Sequence, residues 1–100
     1  MTNQKSIAVL PLENLGSDPE NEYFSDGMTE EIINALSKIE GLKVTAKTYS
    51  FVFKEVKKDV RYIGNELGVS LVLEGSVRKA SNNVRITSVN LHRQWIPHLV

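Results

Sequence analysis

The stretch SIAVLPL, residues 6–12, decides how the rest of the chain is interpreted. It is a short, nearly continuous apolar run, which is typical of a strand buried on both faces. Pro11 has no backbone N–H, so hydrogen bonding on that side of the strand should end there. The sequence therefore predicts a buried strand that ends near Pro11 and is followed by an exposed loop, ENLGSDPEN at residues 13–21.

An amphipathic helix is predicted after this loop. Apolar residues recur there at spacings of four, four, four and three, which is the period of one helix face. These residues are Phe24, Met28, Ile32, Leu36 and Ile39. Gly41 is a suitable stop signal after them.

The front of this helix, EYFSDGMTEEIINAL at residues 22–36, is crowded with carboxylates. Ser25 or Asp26 is a good N-cap, and Glu30 lies in an early turn, where the helix dipole favours negative charge. Gly27 would allow an unusual backbone angle at the entry to the helix. The alternative is a hard-cation site that includes Glu22, Asp26 and Glu30. The spacing does not match the calcium-binding loop, so we favour a helix start at Ser25 or Asp26 and expect no metal.

The remaining elements complete an α/β pattern. Alternation predicts a second strand over residues 42–48, whereas residues 49–53 either prolong it or form an irregular aromatic segment. Asp59 is the expected N-cap of a second helix that ends at Gly68. Two further strands, residues 70–79 and 84–89, are joined by a tight hairpin loop. The predicted order is β-α-β-α-β-β: a mixed sheet of about four strands, the first one central, with two helices on one face.

Glu74 is the most conspicuous single acid, because it lies within an apolar strand. It could face solvent, pair with Arg78 or Arg85 across the hairpin, or belong to a site. Cross-strand pairing is the ordinary outcome. Gly75 beside it suggests a bulge or a close backbone contact.

Composition narrows the class of function. Twelve basic and twelve acidic residues balance to zero net charge, which argues against nucleic acid as the main partner. The chain has no cysteine, and His92 and His98 are its only histidines. Both lie in what reads as an irregular tail, so a nucleophile, a base and an orienting group do not come together. We expect one domain over residues 1–100, without a membrane span, a cofactor or enzymatic activity.

Three blocks of the sequence resemble the TolB-like N-terminal (FlgO-related) domain of prokaryotic multidomain proteins. They are the first strand with Pro11 and Asn14, the SDGMTEEI helix start at residues 25–32, and LGVSLVLEGSVR at residues 67–78. Domains of this family typically stand between a signalling module, such as a nucleotide cyclase or a winged-helix domain, and tetratricopeptide repeats. The resemblance implies a small non-catalytic α/β module that couples its neighbours, and it supplies no catalytic residues.

The sequence departs from this family after Thr87, where it reads SVNLHRQWIPHLV. Codons compatible with this ending, shifted by one base, can encode a string similar to the family's usual one. We hypothesise that residues 91–100 are a frameshifted or otherwise altered terminus. The coding DNA tests this, because the hypothesis fails if the shifted frame does not encode the family's usual ending. The last strand is then expected to be short and to leave an open sheet edge. Such an edge would permit self-association by strand addition.

Two functional hypotheses follow. The first is a non-enzymatic sensory or scaffold module of a larger signalling protein, acting through protein partners or neighbouring domains. The alternative is a regulatory domain that binds a small molecule near the carboxyl ends of the parallel strands, beside Glu13 and Asn14. A cytoplasmic location is expected, or a periplasmic one if the parent protein spans a membrane. The candidate interaction residues are Asn14, Asp26, Glu30, Glu74, Arg78 and Arg85.

Overall fold

Residues 5–16, 19–56, 59–80 and 83–93 are described by a computed structural model. They form five strands, three α-helices and one turn of 3-10 helix. In chain order these are β1 (Lys5–Val9), β2 (Glu13–Asn14), α1 (Glu20–Leu36), β3 (Leu42–Val44), α2 (Lys47–Ser50), the 3-10 turn (Phe51–Phe53), α3 (Val60–Leu67), β4 (Leu71–Ala80) and β5 (Asn83–Arg93).

The sheet has β1 at its centre. Ile7 is paired with Val44 of β3 on one side and with Leu71 of β4 on the other, both in parallel. The chain leaves the ladder at Pro11 and returns to β4 as β2, where Glu13 lies opposite Ser76. The strand β5 closes the sheet in antiparallel pairing with β4. The predicted mixed α/β sheet with a central first strand is confirmed, and β2 adds a short fifth strand.

Both faces of β1 are covered. Ile7, Ala8 and Val9 are buried in succession, and successive side chains of a strand point to opposite faces. Ala8 and Val72 pack with Ile63 of α3. The helix α1 contacts β1, β3 and β4, so it supplies the cover for the face of Ile7 and Val9.

The two long helices therefore lie on opposite faces, whereas the sequence suggested a single face. The reason is the strand order. The β1–α1–β3 crossover moves to one side of β1, and the β3–α3–β4 crossover returns past it to the other. Two right-handed crossovers in opposite directions place their helices on opposite faces.

The second predicted strand is shorter than expected. It ends at Val44, and the Thr45 N–H donates a last hydrogen bond to the Ile7 carbonyl at 2.9 Å. The chain then turns, because the backbone N–H groups of Tyr49 and Ser50 both donate to the Ala46 carbonyl. The ambiguous aromatic segment thus forms α2 and the 3-10 turn rather than a continuation of the strand.

The ends of α3 are where the sequence places them. Asp59 Oδ1 accepts a 2.7 Å hydrogen bond from the Arg61 N–H, and this bond is the main cause of the lowered pKa of Asp59. Gly68 ends the helix with a left-handed φ of 67°, which glycine adopts without strain.

The start of α1 differs from the prediction. The helix begins at Glu20, so Asp26 lies well inside it and is not its N-cap. Pro19 occupies the N-cap position without a capping side chain, and its φ of −57° suits a helix entry. Glu20 and Glu22, rather than Glu30, supply the first-turn acids.

The buried face of α1 also differs. The buried positions are Asn21, Ser25, Thr29 and Ile33, whereas the predicted stripe from Phe24 to Leu36 is half-buried. Ile39 lies beyond the helix and is 51% exposed. Small polar side chains bring the helix backbone close to the sheet. Thr29 exploits this: its Oγ1 accepts from the Leu12 N–H at 2.9 Å and donates to the Ser25 carbonyl at 2.8 Å.

Gly27 is an exposed interior position of α1, with no atom near the place a Cβ would occupy. Alanine favours the helix over glycine by about 1 kcal/mol, because glycine loses more backbone entropy on folding. Gly27→Ala should therefore raise the free energy of unfolding by up to about 1 kcal/mol, as measured by urea denaturation. A loss of stability would contradict a helix that begins at Glu20.

The strand β5 is long, which corrects the expectation of a short last strand. It pairs with β4 along its length, from Ala80 opposite Asn83 to Leu71 opposite Arg93. The residues 91–93 of the supposedly altered tail are part of this ladder, and residues 94–100 lie outside the described ranges. The predicted hairpin between the two strands is confirmed, and its residues 81–82 are also outside them.

The pairing of β4 with β5 is irregular near Gly75, as the sequence suggested. Ser76 lies opposite Ser88 and Val77 opposite Ile86, so Thr87 is the extra residue of a β-bulge. Thr87 Oγ1 lies 2.6 Å from Ser76 Oγ, within hydrogen-bond distance. A Cβ on Gly75 would collide with the Ser88 carbonyl oxygen and press on Leu12. The predicted bulge and close backbone contact are both present.

Candidate functional site

A row of carboxylates follows one face of α1. Glu22, Asp26 and Glu30 are spaced by four, so they lie above one another on the helix. Lys54, just after the 3-10 turn, has its Nζ 2.7 Å from Asp26 Oδ2 and 3.1 Å from Glu22 Oε2. Lys47 of α2 lies 3.0 Å from Glu30 Oε2. We call these five residues the charged seam, because they join α1 to the segment 47–54.

The charged seam changes the proton affinity of its central cation. The hydrogen bond to Asp26 is the largest cause of a raised pKa for Lys54, with Glu22 adding to it and partial burial opposing it. Asp26 and Glu30 thus contact lysines of the same chain. Within the described ranges, no group of three or more His, Asp or Glu side chains is arranged to hold a metal ion.

Lys54→Met tests the charged seam. We expect it to lower the free energy of unfolding by about 1 kcal/mol at neutral pH and low salt, since the pairs are partly exposed and therefore modest. The raised pKa means that this contribution is present below about pH 10.5 and is lost as the pH rises through the raised value. The difference between wild type and variant should therefore shrink at alkaline pH.

The control is Lys38→Met, because Lys38 is exposed and has no ion pair in the part of the chain that the structure describes. Urea denaturation of all three proteins across a pH series measures the effect. Equal losses from both substitutions at neutral pH would contradict the charged seam.

A cleft of about 590 Å³ opens at the carboxyl end of β1. Its apolar walls come from the β1–β2 connection, the 3-10 turn and α3, and its rim is mainly acidic. The lining residues are Leu10, Pro11, Leu12, Glu13, Asn14, Glu22, Phe53, Lys54, Glu55, Val56, Val60, Ile63, Glu74 and Gly75. This is the end of a parallel sheet where ligands of α/β proteins usually bind. Glu55 on the rim has φ of 65°, which residues other than glycine rarely adopt.

Glu74 lies on this rim beside His92, with Oε2 and Nε2 2.6 Å apart. The Glu74 carboxylate and the His92 imidazole form an ion pair when the imidazole is protonated, and their geometry does not meet the criteria for a hydrogen bond. Glu74 is opposite Asn90, so His92 is its diagonal neighbour on the same face. The expected pairing with Arg78 or Arg85 is wrong, because those two arginines lie opposite each other beyond the bulge.

The candidate residues fall into three groups. Asp26 and Glu30 belong to the charged seam, whereas Asn14 and Glu74 line the cleft. Asn14 Oδ1 also accepts a 3.0 Å hydrogen bond from the Gly16 N–H, which shapes the turn after β2. Arg78 and Arg85 form the third group, exposed on the hairpin.

Sequence reasoning missed Lys47, Lys54 and His92. The four-residue spacing of the α1 carboxylates was a readable signal of one charged face. The lysines that pair with this face could not be identified, because the path of segment 47–54 is not indicated by any periodic pattern in its sequence. His92 was discounted because its segment was interpreted as an irregular tail.

The sheet order and the two covered faces define a small three-layer α/β domain. No protein-family model matches the chain. Among curated proteins, it is 54% identical over 83 residues to "Putative adenylate cyclase 3" from Rhizobium meliloti (strain 1021). This match covers 83% of the chain but only 14% of that relative. The chain is thus similar to a small segment of a protein named as a cyclase.

Among solved structures, the chain resembles lipoprotein GNA1162 from Neisseria meningitidis, with a TM-score of 0.57. The alignment covers 89% of this chain and 80% of the lipoprotein, at 19% sequence identity, so the likeness concerns the fold alone. Within the described ranges, no helix has the length and apolar character needed to cross a membrane.

Proposed function

We propose that the chain is a non-enzymatic, TolB-like sensory or scaffold module of a larger signalling protein. It acts by contacting neighbouring domains or protein partners, and one such neighbour is a nucleotide cyclase. The module itself carries no catalytic step, binds no nucleic acid and inserts into no membrane. Its proposed location is the cytoplasm.

The main support for this proposal is the sequence match to the Rhizobium protein. The 54% identity extends over 83 residues, yet these residues are only 14% of the Rhizobium relative. We take the matched segment as a unit with its own core, since its strands and helices pack around β1. Coupling between domains is the simplest task for such a unit beside a cyclase.

The side chains favour the same interpretation. The carboxylates of α1 contact Lys47 and Lys54, and these contacts hold two parts of the domain together. Glu74 contacts His92 at the outer strand. A catalytic site would need a nucleophile, a base and an orienting group within hydrogen-bond reach of one another. The charged groups here pair with one another within the domain instead.

The test uses the full reading frame that contains these residues. The ¹⁵N-labelled domain is mixed with the remainder of that protein, and its amide shifts are followed by NMR. The proposal expects shifts over one contiguous surface and no turnover of ATP or GTP by the domain alone. Unchanged spectra, or turnover by the isolated domain, would contradict it.

A regulatory domain that binds a small molecule is the second candidate, and the cleft is the observation in its favour. A volume of about 590 Å³ is in the usual range for ligand sites, and apolar walls with a few polar groups are typical of them. The positive φ of Glu55 adds local strain at the rim, a feature often kept at functional sites.

A thermal-shift screen over nucleotides, metal ions and metabolites tests this candidate. A true ligand should raise the melting temperature of the wild type, and Glu55→Gln should change that rise. Glu66→Gln serves as the control, because Glu66 is exposed on α3 and does not line the cleft. Melting temperatures that no compound shifts would leave only the first candidate.

A further inference from the structure

The acidic and basic residues of the domain are unevenly distributed, because the hairpin of β4 and β5 carries mainly basic side chains. No Asp or Glu follows Glu74 in the sequence, so β5 contains no acidic residue. Arg78, Lys79, Arg85 and Arg93 are exposed on the two hairpin strands. Within the described ranges, none of these four cations has an ion-pair partner. The hairpin is therefore a basic surface on a chain whose net charge is zero.

The outer edge of β5 has no partner strand among the residues that the structure describes. Its inner edge is bonded to β4. Every described β5 side chain except His92 is exposed. An exposed edge presents unpaired backbone N–H and C=O groups that can bond to another extended chain.

The two faces of β5 differ in chemistry. Val89 and Leu91 are opposite Gly75 and Leu73, and Ile86 is opposite Val77, so all three lie on one face. They are exposed by 54%, 58% and 46%. Arg85 is opposite Arg78 and therefore lies on the other face. Arg93 is opposite Leu71, so it lies at the end of the apolar row on the same face. A strand added beside β5 would meet the apolar row and Arg93 on one face and Arg85 on the other.

We infer that β5 is the docking edge for an extended protein segment that alternates apolar and acidic residues. The segment adds to the sheet as a further strand. Its apolar side chains cover Ile86, Val89 and Leu91, and its carboxylates lie beside Arg85 on the other face, with Arg78 one strand further in. This inference rests on the proposed function, and it names the kind of partner surface that the module recognises.

The charges on β5 disfavour a second copy of this chain as the partner at its outer edge. Because β5 has no acidic residue, no register of two β5 strands places a carboxylate opposite Arg85. Like charges directly opposite each other destabilise strand pairs. A nucleic acid would satisfy the arginines but would leave the apolar row uncovered by any comparable surface. An acidic, amphipathic strand fits both faces.

The test uses a fluorescent synthetic peptide as long as β5, alternating glutamate and valine, and measures binding by anisotropy. Two control peptides have lysine in place of glutamate, or the same residues in separate blocks. The alternating acidic peptide should bind most tightly, and Arg85→Glu should weaken it about tenfold or more. Lys43→Glu, which reverses an exposed charge on β3 away from the hairpin, should leave its affinity within about twofold.

Hydrogen exchange by NMR identifies the mode of binding, because strand addition should slow exchange of β5 amides when the peptide is added. Binding that is equal for both acidic peptides, or unchanged by Arg85→Glu, would overturn the inference. So would β5 amides already protected by self-association, or tighter binding of duplex DNA than of the peptide. If the peptide fails while the remainder of the parent protein still shifts the NMR spectrum, only this inference fails and the proposed function stands.

Discussion

Replacing Gly75 by alanine is expected to remove much of the stability of the domain. The added methyl group would collide with the carbonyl oxygen of Ser88 on the paired strand, and it would press on the side chain of Leu12. Backbone of a paired strand cannot move aside as a flexible side chain can. Overpacking typically costs about 1–3 kcal/mol, and a collision with paired backbone lies at the upper end of that range, against a total of roughly 5–15 kcal/mol for a typical domain.

Urea denaturation followed by circular dichroism measures this loss, with Gly27→Ala as the matched control. The same substitution there meets no atom and should be neutral or stabilising. If alanine lowers the free energy of unfolding at Gly75 but not at Gly27, the loss at Gly75 comes from the contact between β4, β5 and the β1–β2 connection. A Gly75→Ala protein as stable as the wild type would contradict the described bulge.

Thr29→Val should produce the second large effect. Thr29 is fully buried, and its hydroxyl accepts from the Leu12 N–H where the chain leaves the central strand. Valine has nearly the same shape but no acceptor, so this buried N–H would lose its partner. An unsatisfied buried donor costs about 1–3 kcal/mol. The free energy of unfolding should fall by that amount.

Thr29→Ser is the companion variant, since it keeps the hydroxyl and removes only a methyl group. We expect it to be the more stable of the two, and the Leu12 amide should exchange faster with solvent in the valine protein than in the serine protein. If valine and serine cost the same and Leu12 exchange is unchanged, Thr29 does not anchor the exit of β1.

The sequence pattern predicts those features of the fold that depend on residues close together in the chain. The apolar run at residues 6–12 predicts the central strand, and Pro11 marks its end because proline removes a ladder donor. Asp59 and Gly68 predict both ends of α3, since N-caps and left-handed C-caps depend on nearby backbone alone. Gly75 predicts the irregular pairing with β5. Each of these signals acts within a few residues of its own position.

Other features depend on tertiary contacts and could not be predicted in this way. The apolar period of α1 indicates the stripe from Phe24 to Leu36, but the sheet accepts the smaller side chains at Ser25 and Thr29 instead. The place of both helices follows from strand order, which no single segment encodes. Lys54 meets Asp26 only because the segment after β3 turns into α2.

The outer strand gives the clearest example for the candidate site. An unfamiliar ending suggested a short strand, so His92 received little weight. Pairing along the length of β4 extends the strand through Arg93, since the backbone ladder does not require a particular side-chain pattern. That extension creates the contact between His92 and Glu74, and it also creates the long open edge.

We propose above that the domain works by contact with other parts of a larger protein. The most direct test of this proposal compares hydrogen–deuterium exchange of the isolated domain with exchange of the same residues inside the full reading frame. We expect slower exchange within the full reading frame in one contiguous region that includes β5, with the other described elements unchanged. Identical exchange in both contexts at every described residue would contradict it.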